Sequence, residues 1–223
     1  MTKTVAALET LFQESIPSPI GVITLLTAPE SPERALLLGF DFEEDSKSAW
    51  LERRHPGAHL ESTRRRSTAG THLVAYLEGD VEALERIECD APGTPFQRRV
   101  WKELRRIPAG RVISYGELAR RVGEPTACRA VASANARNPI AIVVPCHRVI
   151  AADGTLHGYA GGLDRKRWLL EHEARHAGAR GAATARSASS GQVLLSQGEL
   201  WARTTTTSSP IGTSKGRAKR STI

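Results

Sequence analysis

Two short helices predicted close together constrain the fold of this chain most strongly. Ser114 and Glu117 form a capping-box pattern, which predicts a helix that begins there and continues through Val122. Gly123 follows and predicts the end of that helix. Residues 126–136, TACRAVASANA, predict a further helix rich in small side chains. Two short helices joined by a glycine-containing turn are typical of a helix-turn-helix.

A longer helix is predicted just before this pair. Thr94 takes the N-cap position, Pro95 the first helical position and Gln97 the third, which makes a second capping box. Apolar residues then recur at helical spacing, and Pro108 predicts the end of the helix. The apolar residues are Phe96, Val100, Leu104 and Ile107, with Trp101 beside them.

The elements predicted on either side of this region are shorter. A proline-containing loop separates two apolar runs of strand length near the N-terminus, and two helical patterns follow them. Further along, residues 140–144, IAIVV, predict a buried strand, Asp153 and Gly154 predict a turn, and Asp164 predicts the cap of a last helix. The N-terminal strands cover 20–27 and 35–42, the N-terminal helices cover 46–54 and 68–78, and the last helix contains Trp168, Leu169 and Leu170.

These elements predict an α+β protein of two domains and a tail. Residues 90–95, DAPGTP, mark the boundary. We expect a small α/β domain at 1–92 and a mainly helical domain at 93–176 that contains a winged-helix-like helix-turn-helix. Gly, Ala, Ser, Thr and Arg dominate from Ala174 onward, so we expect a disordered basic tail at 177–223.

Charge is distributed unevenly along the chain. Residues 1–93 hold 9 Lys/Arg and 16 Asp/Glu, whereas residues 94–173 hold 14 and 7, and residues 174–223 hold 8 and 1. A basic folded segment can bind the phosphates of nucleic acid, although a solvated basic surface has the same composition.

Several classes of protein are excluded by the composition. No apolar run approaches 18 residues, which excludes a transmembrane span, and the N-terminus lacks the apolar core of a secretory signal. The three cysteines, Cys89, Cys128 and Cys146, include no close pair, which argues against a disulfide framework and a CxxC zinc site. We therefore expect a reducing, cytoplasmic location and no metal.

The sequence Pro145-Cys146-His147-Arg148 offers a nucleophile beside cationic and proton-accepting groups. A thiolate is the reactive form of cysteine, and such neighbours favour it. A cysteine after an apolar run can equally be an inert core thiol. Adjacent side chains point in different directions, so the sequence does not establish a contact between His147 and the sulfur.

Residues 129–150, RAVASANARNPIAIVVPCHRVI, resemble the O6-alkylguanine-DNA alkyltransferases, also called methylated-DNA–protein-cysteine methyltransferases. The segments GTPFQ at 93–97, SYGELA at 114–119 and YAGGL at 159–163 extend the resemblance over residues 94–173. It is weaker over residues 15–93, where only the pattern of strands and helices matches.

The resemblance implies a DNA repair protein that transfers an alkyl group from guanine O6, and less readily from thymine O4, to its own cysteine once. It implies that Cys146 is the acceptor, that His147 takes the thiol proton through a water, and that Glu173 orients His147. Asn138 is implied to brace the turn that holds Cys146. No cofactor is implied.

The resemblance also implies residues that bind DNA and the lesion. Arg129 would fill the gap left by a flipped nucleotide, and Tyr115 would donate to the guanine ring and displace the neighbouring phosphate. The other implied DNA contacts are Arg137, Ala130 and Ser133, and the implied pocket residues are Val149, Tyr159, Ala160 and Lys166.

The implied partner is double-stranded DNA that carries O6-alkylguanine, bound by a monomer without an obligate protein partner or a membrane. Abundant arginine and alanine indicate a bacterial source. Two departures from the family stand out: no cysteine precedes Cys89, so the structural zinc of some relatives is not expected, and Ala136 replaces a frequent glycine.

Two other functions compete with repair. Lesion-binding relatives without catalysis share the architecture, but they lack the cysteine found at Cys146. A helix-turn-helix repressor needs base-reading polar side chains on its second helix, and residues 130–136 are mostly alanine. Single residues have plainer explanations too: Tyr115 as a packed aromatic, Arg129 as a surface charge and Glu173 as part of a solvated helix face.

Overall fold

The N-terminal part of the protein is built on a sheet of short strands. The computed structural model describes residues 9–40, 44–89, 91–181 and 193–194. The first six strands are β1 (Thr10–Ser18), β2 (Gly21–Thr27), β3 (Arg34–Ala35), β4 (Leu37–Phe40), β5 (His59–Ser62) and β6 (Glu88–Cys89). β1 and β2 form an antiparallel hairpin, β4 pairs with β2, and β5 adds to β1 in parallel, which gives the order β4-β2-β1-β5. β3 and β6 form a separate parallel pair.

The predicted strand at 20–27 is confirmed as β2, and the predicted strand at 35–42 contains β4. β1 and β5 are not predicted because polar residues interrupt both segments. β1 nevertheless buries Leu11 on one face and Ile16 on the other. It also buries Glu14, whose carboxylate accepts a hydrogen bond from the backbone N–H of Ser67.

The two predicted N-terminal helices are confirmed. They are α1 (Glu44–Arg54) and α2 (Thr68–Leu77). The hydroxyl of Ser67 caps α2 by accepting the N–H of Gly70 at 3.0 Å. The buried face of α2 includes Leu73 and Tyr76, and a short 3₁₀ helix (Ala83–Arg86) packs beside it.

The capping box at Thr94 is confirmed. The Thr94 hydroxyl accepts the N–H of Gln97, and the Gln97 side chain accepts the N–H of Thr94. The helix, α3 (Pro95–Leu104), ends at Leu104 rather than at Ile107, because tighter turns replace its last residues.

The predicted pair of short helices is confirmed. β7 (Arg111–Ser114) leads into α4 (Tyr115–Arg121), and α5 (Cys128–Ala136) follows after a turn at Gly123. Only half of the predicted second capping box forms, since Ser114 accepts the N–H of Glu117 while the Glu117 carboxylate binds Arg120 and Arg121. α5 begins at Cys128, later than expected, and its N-cap residue Ala127 makes no side-chain cap.

The predicted strand at 140–144 is wrong, although the predicted burial is correct. Ile140 makes one isolated bridge to Leu38, and the following residues turn instead of extending. Ile142 has a φ of 68°, in the left-handed region that strands do not visit. The Val144 N–H closes the turn onto the Ile140 carbonyl at 2.9 Å, and the Ala141 N–H donates to the carbonyl of Leu38, so the buried turn satisfies these backbone groups without a strand.

The last helix, α6 (Leu163–Gly181), begins one residue before its predicted cap. Asp164 is therefore in the first turn, where it pairs with Arg167. The helix also continues past residue 176, the predicted end of the domain. A 3₁₀ helix (Cys146–Arg148) and β8 (Val149–Ile150) precede it, and β9 (Val193–Leu194) pairs with β7 to give the order β8-β7-β9. The rest of the predicted disordered tail lies outside the described residues.

One hydrophobic core spans both parts of the protein. It joins Ile23 and Leu73 of the N-terminal part to Trp101, Leu118 and Cys146. The Trp101 Nε1–H donates to the carbonyl of Ala134 at 2.9 Å, which fixes α5 against α3. Among the described residues, no helix is long and apolar enough to cross a membrane.

The capping box of α3 predicts a measurable contribution to stability. Thr94→Ala removes the side-chain acceptor of the Gln97 N–H, so the free energy of unfolding should fall by about 1 kcal/mol in urea denaturation. Thr94→Ser keeps the acceptor and should stay close to the unaltered protein. Equal losses in both variants would show that the threonine methyl group, rather than the cap, stabilises the helix.

Candidate active site around Cys146

The turn at 138–144 holds Cys146 in place. Asn138 donates through Nδ2 to the carbonyl of Val144 at 2.7 Å and to Sγ of Cys146 at 3.2 Å. Its Oδ1 accepts the N–H of Ile140 at 3.0 Å. One side chain thus joins the start of the turn, its end and the sulfur, which is the arrangement expected of a residue that braces the turn.

Cys146 lies almost completely inside the protein, with 6% of its surface exposed. Burial raises the pKa of its thiol, while the hydrogen bond from Asn138 and the charge of Lys166 act in the opposite direction. A resting thiol is therefore favoured, and a proton acceptor is needed to make the thiolate.

His147, the next residue, is completely buried and pairs with a carboxylate. Its Nε2 lies 3.0 Å from Oε1 of Glu173, so Nε2 carries the proton and Nδ1 presents a lone pair. Nδ1 is buried and has no hydrogen-bond partner among the described residues. Burial is the largest influence on the pKa of His147 and lowers it, which keeps the imidazole neutral and able to accept a proton.

Glu173 is the most heavily hydrogen-bonded side chain of the site. Besides His147, it accepts from Nη2 of Arg148 at 2.7 Å, from the N–H of Gly110 at 3.1 Å and from the hydroxyl of Tyr76 at 3.1 Å. Burial acts to raise the pKa of Glu173, but the charges of Arg148 and His147 and their hydrogen bonds hold it well below its usual range. Glu173 is thus a buried carboxylate, not part of a solvated face.

Arg148 and Tyr76 belong to the site, and neither was assigned a role from the sequence. Arg148 directly follows Cys146 and His147 in the sequence. Besides binding Glu173, its guanidinium donates a hydrogen bond to the carbonyl of Ile107. Because Arg148 directly follows Cys146 and His147, the sequence could have been used to predict that a carboxylate pairs with it. Tyr76 had no such signal, because it comes from a distant apolar helix.

Two of the predicted pocket residues, Lys166 and Tyr159, lie close enough to Cys146 to interact electrostatically with it. Lys166 is completely buried and donates through Nζ to the carbonyl of Val149 at 2.7 Å and to that of His157 at 2.9 Å. Burial lowers the pKa of Lys166 to about 8. The Tyr159 hydroxyl is buried without a partner among the described residues, whereas Ala160 is exposed. Lys166 thus fixes the loop that carries Tyr159.

The predicted DNA contacts lie on an accessible face of α5. Arg129, Ala130 and Arg137 are exposed and Ser133 is half-buried. Within the described part of the chain, the Arg129 side chain makes no hydrogen bond or ion pair.

Tyr115, the first residue of α4, is half-buried. Burial and the nearby Cys146 raise the pKa of Tyr115, and a hydrogen bond with Asn135 lowers it. Tyr115 therefore lies near both Cys146 and α5.

Known proteins resemble this chain over most of its length. A family model for the DNA-binding domain of 6-O-methylguanine DNA methyltransferase matches residues 95–175. The methylated-DNA–protein-cysteine methyltransferase of Salmonella typhimurium is 42% identical over 163 residues, which cover 73% of this chain and 95% of the relative. The protein of the same name from Mycolicibacterium paratuberculosis is 47% identical over 163 residues, covering 73% and 92%. This chain belongs to the methylated-DNA–protein-cysteine methyltransferases.

Structural comparison supports the methyltransferase fold. The crystal structure of Mycobacterium tuberculosis OGT in complex with DNA superposes with a TM-score of 0.58 at 41% identity, covering 73% of this chain and 92% of that one. The α+β fold predicted from the sequence is therefore confirmed. Among the described residues, no group of three or more His, Cys, Asp or Glu side chains could hold a metal ion.

The buried carboxylate predicts a specific dependence of stability on pH. Because the pKa of Glu173 is lowered in the folded state, its contribution is complete above the unfolded pKa and is lost as the pH falls. The free energy of unfolding should decline below about pH 5, with a slope from this group of up to about 1.4 kcal/mol per pH unit.

Glu173→Gln should remove that slope and also destabilise the protein at neutral pH by about 3–5 kcal/mol, since Arg148 would stay buried without its counter-charge. Glu171→Gln, on the same helix, is the control and should retain the slope. Urea titrations from neutral to acid pH measure both effects. An unchanged acid slope in Glu173→Gln would contradict the assignment of this carboxylate as the group that titrates.

Proposed function

We propose that this methyltransferase repairs DNA by transferring an alkyl group from O6 of guanine, or O4 of thymine, to Cys146 in a single irreversible turnover. The observation that carries the proposal is a pair of contacts on adjacent residues: the Asn138 amide donates to Sγ of Cys146, and the buried imidazole of His147 pairs with Glu173. An inert core thiol needs neither a buried neutral imidazole beside it nor a buried carboxylate behind that imidazole.

The chemistry follows from the state of each group. His147 accepts the thiol proton at Nδ1 through an intervening water, and the imidazolium formed is stabilised by Glu173. The thiolate attacks the alkyl carbon, a carbon–sulfur bond forms, and the bond between that carbon and the base oxygen breaks. The base leaves with the electron pair and takes up a proton. The product is a thioether, which no group of the site can cleave, so each molecule acts once.

The lesion has to leave the DNA stack before it can react. Cys146 is buried, and a base held inside a duplex is out of reach of a buried sulfur. We assign Arg129 to the gap left by the extruded nucleotide and Tyr115 to the ring of the guanine and the adjacent phosphate. Arg137, Ala130 and Ser133 complete the DNA-facing surface of α5.

The flipped base would lie beside Cys146, against the predicted pocket residues. Backbone groups of Cys146, Val149 and Ala160 would read its edge, and Tyr159 and Lys166 would line the pocket. The Lys166 ammonium would also favour the thiolate electrostatically. A hydrogen bond from Tyr115 to the departing ring would stabilise the negative charge that develops there.

The protein would act on double-stranded DNA as a monomer, without a cofactor or a protein partner, in a bacterial cytoplasm and at the nucleoid. Residues 94–148 would carry DNA binding, and the basic tail would assist it. A lesion-binding protein without catalysis is the second candidate, but the network around Cys146 has no purpose in a protein that only binds. A repressor is disfavoured by the small side chains on the exposed face of α5.

Incubation with duplex DNA containing O6-methylguanine should add one methyl group to the peptide with Cys146 and to neither Cys89 nor Cys128. Intact-mass and peptide mass spectrometry measure this directly. Cys146→Ala should abolish the transfer, and Cys128→Ala, which removes an exposed thiol on α5, is the matched control. More than one equivalent transferred per protein, or repair by Cys146→Ala, would refute the proposed function.

Arg129 should act in base extrusion rather than in thiol chemistry. Arg129→Ala should slow repair of duplex DNA by roughly tenfold or more. The inserted arginine would offset part of the lost base stacking, and a loss of about 1.4 kcal/mol corresponds to a factor of ten. Reaction with free O6-benzylguanine needs no extrusion and should stay nearly unchanged. Arg137→Ala removes an equally exposed charge from the same helix and should reduce duplex repair much less. Equal losses on both substrates would remove Arg129 from this role.

Tyr115→Phe should impair reaction with the duplex and with the free base, because the hydroxyl serves both extrusion and the leaving group. The ratio of the two rates separates it from Arg129. A Tyr115→Phe variant that lost only duplex repair would show that the hydroxyl does not assist departure of the base.

A further inference from the structure

Tyr76 reaches the catalytic network from the N-terminal part of the protein. It lies on α2 and is completely buried. Its hydroxyl donates to Oε1 of Glu173 at 3.1 Å, and the same oxygen accepts Nε2 of His147 at 3.0 Å. Tyr76 lies outside the segment 95–175 that matches the family model. Its hydroxyl nevertheless binds the same carboxylate oxygen as the imidazole of His147.

The tyrosine is held in place by more than its contact with Glu173. Its backbone carbonyl lies 2.7 Å from Nε2 of His172, and the two rings meet edge to face with centroids 5.2 Å apart. His172 in turn stacks on Trp168, with ring centroids 4.7 Å apart and planes at 8°. Because the ring is fixed by packing against α6, the hydroxyl has one position relative to the carboxylate.

The hydroxyl also keeps its proton. Burial, followed by the negative charge of Glu173, raises the pKa of Tyr76 well above its ordinary value, so it remains a neutral donor. The other titratable and charged groups around this network come from several elements. They are Arg148 of the 3₁₀ helix, Lys166 and His172 of α6, Tyr159 of the preceding loop, and Glu85 of the N-terminal 3₁₀ helix.

We propose that Tyr76 is a positioning residue for alkyl transfer, whose hydroxyl fixes Oε1 of Glu173 and limits how strongly that oxygen attracts the proton of His147. A carboxylate oxygen that accepts one hydrogen bond has less charge to offer the next donor. Without the Tyr76 hydroxyl, the donors to Oε1 that remain are His147 and Arg148. The carboxylate then stabilises the protonated form of His147 more strongly than it does in the unaltered protein. This inference rests on the proposed function, since it concerns the same proton transfer.

The test is the pH dependence of Cys146 alkylation by free O6-benzylguanine, measured with the full chain and with Tyr76→Phe. A protonated His147 cannot accept the thiol proton, so the rate falls on the acid side as His147 takes up a proton. In Tyr76→Phe the midpoint of this acid limb should move up by about half a pH unit, because the hydrogen bond that weakens the carboxylate is gone. The free base excludes any effect of DNA binding.

Leu73→Val provides the matched control. Leu73 is equally buried on the same helix, so its truncation loosens the packing of α2 without removing a donor to Glu173. This variant should keep the acid midpoint of the unaltered protein, even if its rate is lower. A movement of the midpoint in Leu73→Val as large as in Tyr76→Phe would overturn the proposal.

The possible failures are distinguishable. An unmoved midpoint in Tyr76→Phe would overturn the role of Tyr76 even if the maximal rate fell, because a lower rate alone is what looser packing produces. If the unaltered protein acquires neither a benzyl group from the free base nor a methyl group from O6-methylguanine DNA at Cys146, the proposed function fails instead. An upward shift confined to Tyr76→Phe supports the proposal.

Discussion

The buried carboxylate of Glu173 on α6 connects three other segments of this protein. It accepts hydrogen bonds from Tyr76 on α2, from the backbone of Gly110 before β7, and from His147 and Arg148 on the 3₁₀ helix. A buried charge is strongly unfavourable unless it is paired, so these segments have to pack around it together. Arg148 extends the network to the turn after α3 through the carbonyl of Ile107. The hydrogen bond from Tyr76 therefore links the N-terminal part of the fold to the same carboxylate that pairs with His147.

Local signals explain why the helices between residues 94 and 136 could be predicted. The side chains of Thr94 and Ser114 accept hydrogen bonds from the first free backbone N–H groups of α3 and α4, and so mark where these helices begin. Gly123 follows α4 with a positive φ, which glycine adopts readily. Both signals depend only on neighbouring residues. Cys146, His147, Glu173 and Asn138 were named from a resemblance, and the structure shows a contact between Asn138 and Cys146 and another between His147 and Glu173. Their distances and protonation could not follow from a motif.

The failures have physical causes as well. The run at 140–144 consists of residues that favour strands, but Ile142 adopts a left-handed φ that costs a β-branched residue about 1–2 kcal/mol. Burial of that side chain offsets the cost, and burial of this kind is decided by the rest of the fold. Tyr76 was missed for a similar reason, because its role depends on a contact with a residue 97 positions later in the chain. No pattern within a short window contains either fact.

The amide of Asn138 contacts a sulfur that is a thiol before the reaction and a thioether after it. A thioether is a weak acceptor, and the transferred group adds atoms to a place where the sulfur is already buried. The same amide holds the carbonyl of Val144, so the lost contact and the crowding act on one turn of the chain. We therefore expect the alkylated protein to be less stable than the unreacted protein. We expect the alkylated protein to open more often than the unreacted one, which would expose it to proteolysis first.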